Sequence, residues 1–168
     1  MLLNRFFLLV SLITVLSGCD SNSNQEDTFS HSLNLLEYGI PLSLMTPDSF
    51  SVQNSSTSLM QELKVTAKDY LIYVYGYDMG GQVQSEKSRK LAEVREDPYS
   101  DFGAIIQEKK NGFVYSIRAD KDTTVAYNFH RYFRISNKIY HLTSSAGGRR
   151  PPFSRQQMID MFKATENN

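Results

Sequence analysis

Val125–Ile135 reads VAYNFHRYFRI and Lys138–Ser144 reads KIYHLTS, with only Ser136-Asn137 between them. Both runs are rich in aromatic and β-branched residues at alternating positions, the period of a strand. A two-residue connection is the length of a tight hairpin loop. With Ser136 and Asn137 as that loop, Tyr140 faces Phe133 and Leu142 faces Arg131. Val125, Tyr127, Phe129, Phe133 and Ile135 then line one side with Tyr140 and Leu142. His130, Tyr132, His141 and Thr143 fall on the other. A slip of one residue on either strand would invert one set of side chains and destroy this agreement.

The same reading extends outward. Phe113–Ala119 is a further strand, joined to the hairpin by the polar stretch Asp120–Thr124. Tyr70–Tyr77 (YLIYVYGY) is aromatic and β-branched, as strands prefer. Leu59–Ala67 is another strand candidate, with Lys68-Asp69 as the turn between the two. Ile40–Met45 alternates apolar and small residues and ends at the turn Thr46-Pro47-Asp48-Ser49. Ser85–Glu96 is helical, with a narrow apolar stripe at Leu91 and Val94. Pro98 opens a second expected turn of helix, with Tyr99, Phe102, Ile105 and Ile106 at helical spacing. Asn111-Gly112 is a turn. Ala146–Pro152 can continue no element, and Ser154 caps a last helix to about Ala164, with Met158, Met161 and Phe162 on one face. Strands, helix, strands, helix is the order of an α+β fold: an antiparallel β-sheet with helices packed on it.

The chain has 168 residues, 18 Lys plus Arg and 18 Asp plus Glu, so its formal charge is zero. That balance argues against a nucleic-acid partner, which calls for a basic excess. Its 40% hydrophobic and 21% charged content suits a folded domain. One cysteine rules out an internal disulfide framework, and with three histidines it rules out the common four-ligand zinc modules.

Residues 1–19 read MLLNRFFLLVSLITVLSGC. Arg5 precedes an apolar run of about ten residues, too short to span a bilayer of ~30 Å as a permanent helix. The closing Leu16-Ser17-Gly18-Cys19 resembles the lipobox of bacterial lipoproteins. The resemblance implies removal of residues 1–18 as a lipoprotein signal peptide and acylation of Cys19, which then holds the chain to a lipid bilayer. One acyl chain binds only marginally, whereas two or three on one residue anchor stably. Residues 20–32, DSNSNQEDTFSHS, are polar apart from Phe29 and read as a flexible tether after the lipidated Cys19, spanning roughly 20 Å as a coil. A single globular domain, 33–168, follows. The location implied is the bacterial cell envelope, on an inner or outer membrane outside the cytoplasm, with surface exposure also open.

Chemistry is sparse. His130 and His141 fall diagonally across the hairpin, but a catalytic zinc needs a third protein ligand and no local carboxylate supplies one. They read as polar residues on a solvated or partly covered sheet face, with no metal. His31 lies in the tether and carries no expected role. No G-x-S-x-G elbow or phosphate-binding glycine loop occurs. Glu93, Glu96 and Asp97 beside Arg89 and Lys90 read as solvated surface charge. Two features suit a binding role. Arg149 and Arg150 in the loop GGRRPPF could meet a carboxylate or phosphate, or simply be a solvated connector. Tyr73, Tyr75 and Tyr77 share one strand face, either as an exposed protein-binding surface or packed under a helix.

From Gly39 onward the layout resembles the PsbP and DcrB class of envelope and thylakoid-lumen proteins. Ile40-Pro41-Leu42 leading to Thr46-Pro47-Asp48 resembles their opening strand and turn, and Ser154–Ala164 their C-terminal helix. The "GIP…P" opening is also similar to small lipoproteins of Bacteroidota-type bacteria. These resemblances imply a PsbP/DcrB-like sandwich and supply no catalytic residues or cofactor. Fold likeness alone assigns no function. The expectation is a non-enzymatic lipoprotein that binds or helps assemble another envelope protein. The alternative is a small-ligand or metal-binding lipoprotein.

Overall fold

The computed structural model describes residues 29–78, 81–119, 124–145 and 152–166. Among the described residues, nine strands and two α-helices run in the order β1 His31–Asn34, β2 Ser43–Thr46, β3 Ser51–Asn54, β4 Gln61–Ala67, β5 Tyr70–Tyr77, α1 Val83–Arg95, β6 Ser100–Lys109, β7 Gly112–Ala119, β8 Val125–Ile135, β9 Lys138–Thr143 and α2 Arg155–Ala164. A 3-10 helix, Leu35–Tyr38, joins β1 to β2. The fold is α+β, with one seven-stranded antiparallel sheet ordered β3-β4-β5-β9-β8-β7-β6 and a separate β1-β2 ladder.

The hairpin at the C-terminal side takes the expected register: Phe133 pairs with Tyr140, Arg131 with Leu142 and Tyr132 with His141. Ser136 sits in its turn at φ 54°. After β5 the chain crosses the sheet through α1 to the far edge. It then returns strand by strand until β9 closes on β5. That crossover is what lays α1 over β8 and β6.

Side-chain alternation separates two layers. One face of the sheet, with Leu63, Val65, Ile72, Val74, Phe129 and Leu142, meets α2 through Met158, Met161 and Phe162. The β1-β2 ladder joins this core through Leu33, Leu42 and Leu44. On the opposite face Val94 of α1 packs on Phe113 and Tyr115. Ser154 starts α2 with a reciprocal cap: Gln157 N–H donates to Ser154 Oγ at 3.3 Å, and Ser154 N–H donates to Gln157 Oε1 at 2.8 Å. No helix among the described residues is long and apolar enough to cross a membrane.

Three expectations change. The segment expected as a second helix after Pro98 is strand β6. Its register shifts between Phe102 and Ile105 and again between Ile105 and Gln107. A bulge puts residues three apart on the same face, so Phe102 and Ile105 both join the α1 side while Ile106 joins the other core. Helical spacing was mimicked by an irregular strand. Second, order begins before Leu33. Phe29 stands edge-on to Tyr70 with ring centroids 5.0 Å apart, and His31 begins β1 and lies 5.4 Å from the Phe50 ring. Third, Val125 is exposed, whereas Tyr127, Phe129, Phe133 and Ile135 reach the core as expected.

Candidate functional site

The face under and beside α1 carries most of the chain's unusual chemistry. Because β5, β9, β8 and β7 are neighbours, their same-face residues form a row across the sheet. Tyr73 and Tyr75 on β5 are nearly parallel, with centroids 6.2 Å apart. Tyr75 lies 5.9 Å from His141 on β9, and Tyr132 of β8 stacks on His141 at 4.6 Å. His141 lies 5.1 Å from His130, which stacks on Tyr115 of β7 at 5.5 Å. The row runs from half-buried tyrosines to a buried end: Tyr73, Tyr75, Tyr77 and His141 are partly exposed, while His130 and Tyr115 are each about 4% exposed.

Hydrogen bonds give the buried end a direction. Phe129 N–H donates to Asn128 Oδ1 at 2.8 Å, and Ser144 Oγ–H donates to the same oxygen at 2.5 Å. That fixes the amide so that Asn128 Nδ2 donates to Tyr115 Oη at 3.2 Å. Tyr115 Oη in turn shares a hydrogen bond with His130 Nε2, 3.2 Å away. On the other side of the ring, His130 Nδ1 shares a hydrogen bond with His141 Nε2 at 2.9 Å. Asn128, Tyr115, His130 and His141 thus form one continuous hydrogen-bonded chain.

Both histidines are held neutral. Burial pushes the His130 imidazolium well below its ordinary range, assisted by His141 and Lys90. Burial pulls His141 down to about 3, assisted by Lys90 and Arg89. Burial likewise raises Tyr115 to about 12, so its phenol stays protonated. Tyr75 rises to about 12 through burial and then the nearby Glu62; Tyr77 rises to about 12 through burial and then Glu86.

The roof is charged. Glu86 and Lys87 of α1 are buried. Lys87 Nζ donates to Glu108 Oε1 at 2.6 Å and to the Lys109 carbonyl at 2.7 Å, fastening α1 to the sheet edge. Glu86 accepts from Arg89 at 2.8 Å, and Lys90 donates to Glu93 at 2.6 Å. The expected solvated charge describes Glu93 and Arg89, whose side chains are more than half exposed.

Of the residues singled out in the sequence, Tyr73, Tyr75 and Tyr77 lie on one face of β5, each half-buried. Across the β4 ladder Lys64 pairs with Tyr73 and sits 5.8 Å from its ring centroid, while Glu62 pairs with Tyr75. Beyond α1 these tyrosines form a flanked aromatic strip. His130 and His141 meet as the hairpin register implied, on a face that is partly covered: His130 is buried and His141 partly exposed. Among the described residues no group of three or more His, Cys, Asp or Glu could hold a metal. Cys19, Arg149 and Arg150 lie outside the described residues. Sequence reading missed Asn128 and Tyr115. The available signal was the polar set Asn128, His130 and Tyr132 recurring at every second position of β8.

Comparison of the chain with protein-family models, curated proteins and solved structures found no match.

Proposed function

We propose that this chain is a bacterial lipoprotein, held at a cell-envelope membrane outside the cytoplasm by an acylated Cys19. It acts without catalysis, as a module that binds or helps assemble another envelope protein. The lipobox-like Leu16-Ser17-Gly18-Cys19 supports the anchor. The two-sided sheet, with α1 on one face and α2 on the other, supports a sandwich of the PsbP/DcrB kind.

The observation that carries the binding reading is the strip Tyr73–Tyr75 beside α1. Two parallel rings stand half-exposed on a rigid central strand, flanked by Lys64 and Glu62. Tyrosine presents large contact area at low entropic cost, and a charge of each sign beside it sets orientation. Arg149 and Arg150 belong to the same reading as a second contact, for an acidic group.

The test is mild crosslinking of the full chain in its membrane, with wild type beside a Tyr73→Ala/Tyr75→Ala double variant. One specific envelope protein captured by wild type and lost from the double variant is expected. Equal capture by both, or none by wild type, removes the reading. A small-ligand or metal-binding lipoprotein is the second reading, resting on the proximity of the His130 and His141 rings, whose centroids are 5.1 Å apart. Calorimetric titration with zinc or copper would then give heat that disappears in His141→Ala.

A further inference from the structure

We propose that the tip of the β3–β4 hairpin is a second membrane contact: Leu59, with Met60 and Leu36 at the same corner, dips into the interface of the lipid bilayer that holds Cys19.

Exposed apolar side chains gather at this corner. Leu59 is 90% exposed, Leu36 61% and Met60 38%. Two hydrogen bonds bring their segments together. Gly39 N–H donates to the Leu36 carbonyl at 2.9 Å, and Gln61 Nε2, on the residue after Met60, donates to the Gly39 carbonyl at 2.9 Å. From Gln53 to Gln61 the chain reads QNSSTSLMQ and carries no charge. Glu37, Glu62 and Lys138, whose Nζ donates to Gln61 Oε1 at 3.5 Å, flank the corner and keep the contact shallow.

The tip is also built to leave water. Ser55 N–H donates to the Glu62 carbonyl at 2.9 Å, and Thr57 N–H to the Met60 carbonyl at 2.8 Å. Ser56 N–H donates to Asn54 Oδ1 at 2.9 Å. Leu59 and Met60 N–H both donate to Thr57 Oγ1, at 3.3 and 3.2 Å, and Glu62 N–H donates to Ser56 Oγ at 3.0 Å. An N–H group that enters an apolar medium without a partner is heavily penalised, and these carry their partners with them.

The anchor puts the tip within reach of lipid. The chain from Cys19 to Phe29 spans about 33–36 Å when extended. Phe29 packs on Tyr70, at the start of β5. Gln61 pairs with Gly76, further along β5 by about 20 Å. The Leu59 tip therefore lies inside the radius that the anchored chain sweeps. A bilayer held that close acts as an intramolecular partner. Covering one leucine side chain favours burial by roughly ten- to hundredfold. A contact of that size orients a chain already at the membrane. It rests on the anchor reading above and not on the tyrosine strip.

The test uses the acylated full chain in phosphatidylcholine vesicles. Cys19 is the one native cysteine and is blocked by its lipid, so a thiol introduced by Ser58→Cys or Lys68→Cys alone takes a fluorophore. Ser58 and Lys68 are both exposed and flank opposite ends of β4. Nitroxide-labelled lipid should quench the Ser58→Cys label at least about twofold more than the Lys68→Cys label. Adding Leu59→Ser should erase that difference; Leu59 belongs to neither core, so no packing is lost. Phosphatidylglycerol in the vesicles should leave it unchanged, because the tip carries no charge. Equal quenching at the two positions of vesicle-bound chain overturns the contact and leaves the anchor standing. So does a difference that survives Leu59→Ser or that requires phosphatidylglycerol. A tip shielded in native membranes but not in pure lipid is covered by a protein, which also overturns the contact. Chain that fails to float with the vesicles overturns the anchor and the contact together.

Discussion

Arg131 Nη1 donates to the Phe162 carbonyl at 3.1 Å, and its guanidinium carbon lies 3.9 Å from the centroid of the Phe162 ring. One side chain thus caps the C-terminal turn of α2 and covers its buried aromatic. The same Nη1 donates to Thr165 Oγ1 at 2.9 Å, and Nη2 donates to Glu166 at 3.2 Å. A cation at a helix C-terminus also complements the helix dipole. Burial lowers its pKa, and the bond and charge of Glu166 oppose that shift. Arg131→Ala is expected to destabilise the fold by about 3 kcal/mol, because it removes charge-assisted hydrogen bonds to the end of α2 and the packing of the guanidinium on Phe162. Urea unfolding would measure it; a loss under 1 kcal/mol would show that α2 holds by its methionines alone.

Close backbone approach makes a second test at Gly112. A Cβ there would come 2.5 Å from the His130 carbonyl oxygen and 3.0 Å from both Arg131 Cα and Phe162 Cε2. Two of those neighbours are backbone atoms of the adjoining strand and cannot swing aside. Gly112→Ala should cost about 1–3 kcal/mol by overpacking. An unchanged urea midpoint would contradict the β7–β8 spacing described above.

Stability should also fall in acid before the carboxylates titrate. His130 and His141 have folded pKa values below the unfolded value, so the unfolded chain binds more protons under pH 6.5. Their contribution is complete above that pH and is lost progressively as pH falls toward the folded values. From pH 7.5 to 5.5 the loss should be about 2.7 kcal/mol for the pair. Chemical denaturation at several pH values would measure it. Stability rising on that descent would mean the histidines are charged in the folded state.

The tyrosine strip separates binding from folding. Tyr73 is half-buried and, like Tyr75, lies beyond the two apolar cores. Tyr73→Ala should therefore cost well under the 3–5 kcal/mol of a fully buried aromatic while removing partner capture. A core-sized loss in thermal unfolding would make the strip structural.

Much of this fold was readable where local rules act alone. The Ser136-Asn137 loop fixes the length of the hairpin, and alternation fixes its faces, so the register and the meeting of His130 with His141 followed. The Ser154 cap and the Met158–Phe162 face followed from helix rules. β6 did not, because its bulges give Phe102, Ile105 and Ile106 a false helical spacing. The burial of His130 did not either. It depends on α1 crossing the sheet from β5 to β6, a path set by long-range pairing. The burial of Lys87 likewise depends on partners distant in sequence, Glu108 and the Lys109 carbonyl.

The central claim is the anchor, and the N-terminus of native material tests it most directly. Mass spectrometry of the chain isolated from bacterial membranes should find residues 1–18 removed and Cys19 carrying a diacylglyceryl thioether, with Cys19→Ser lost from the membrane fraction. An intact, unacylated Met1 terminus, or wild-type chain recovered among soluble cytoplasmic proteins, would contradict it.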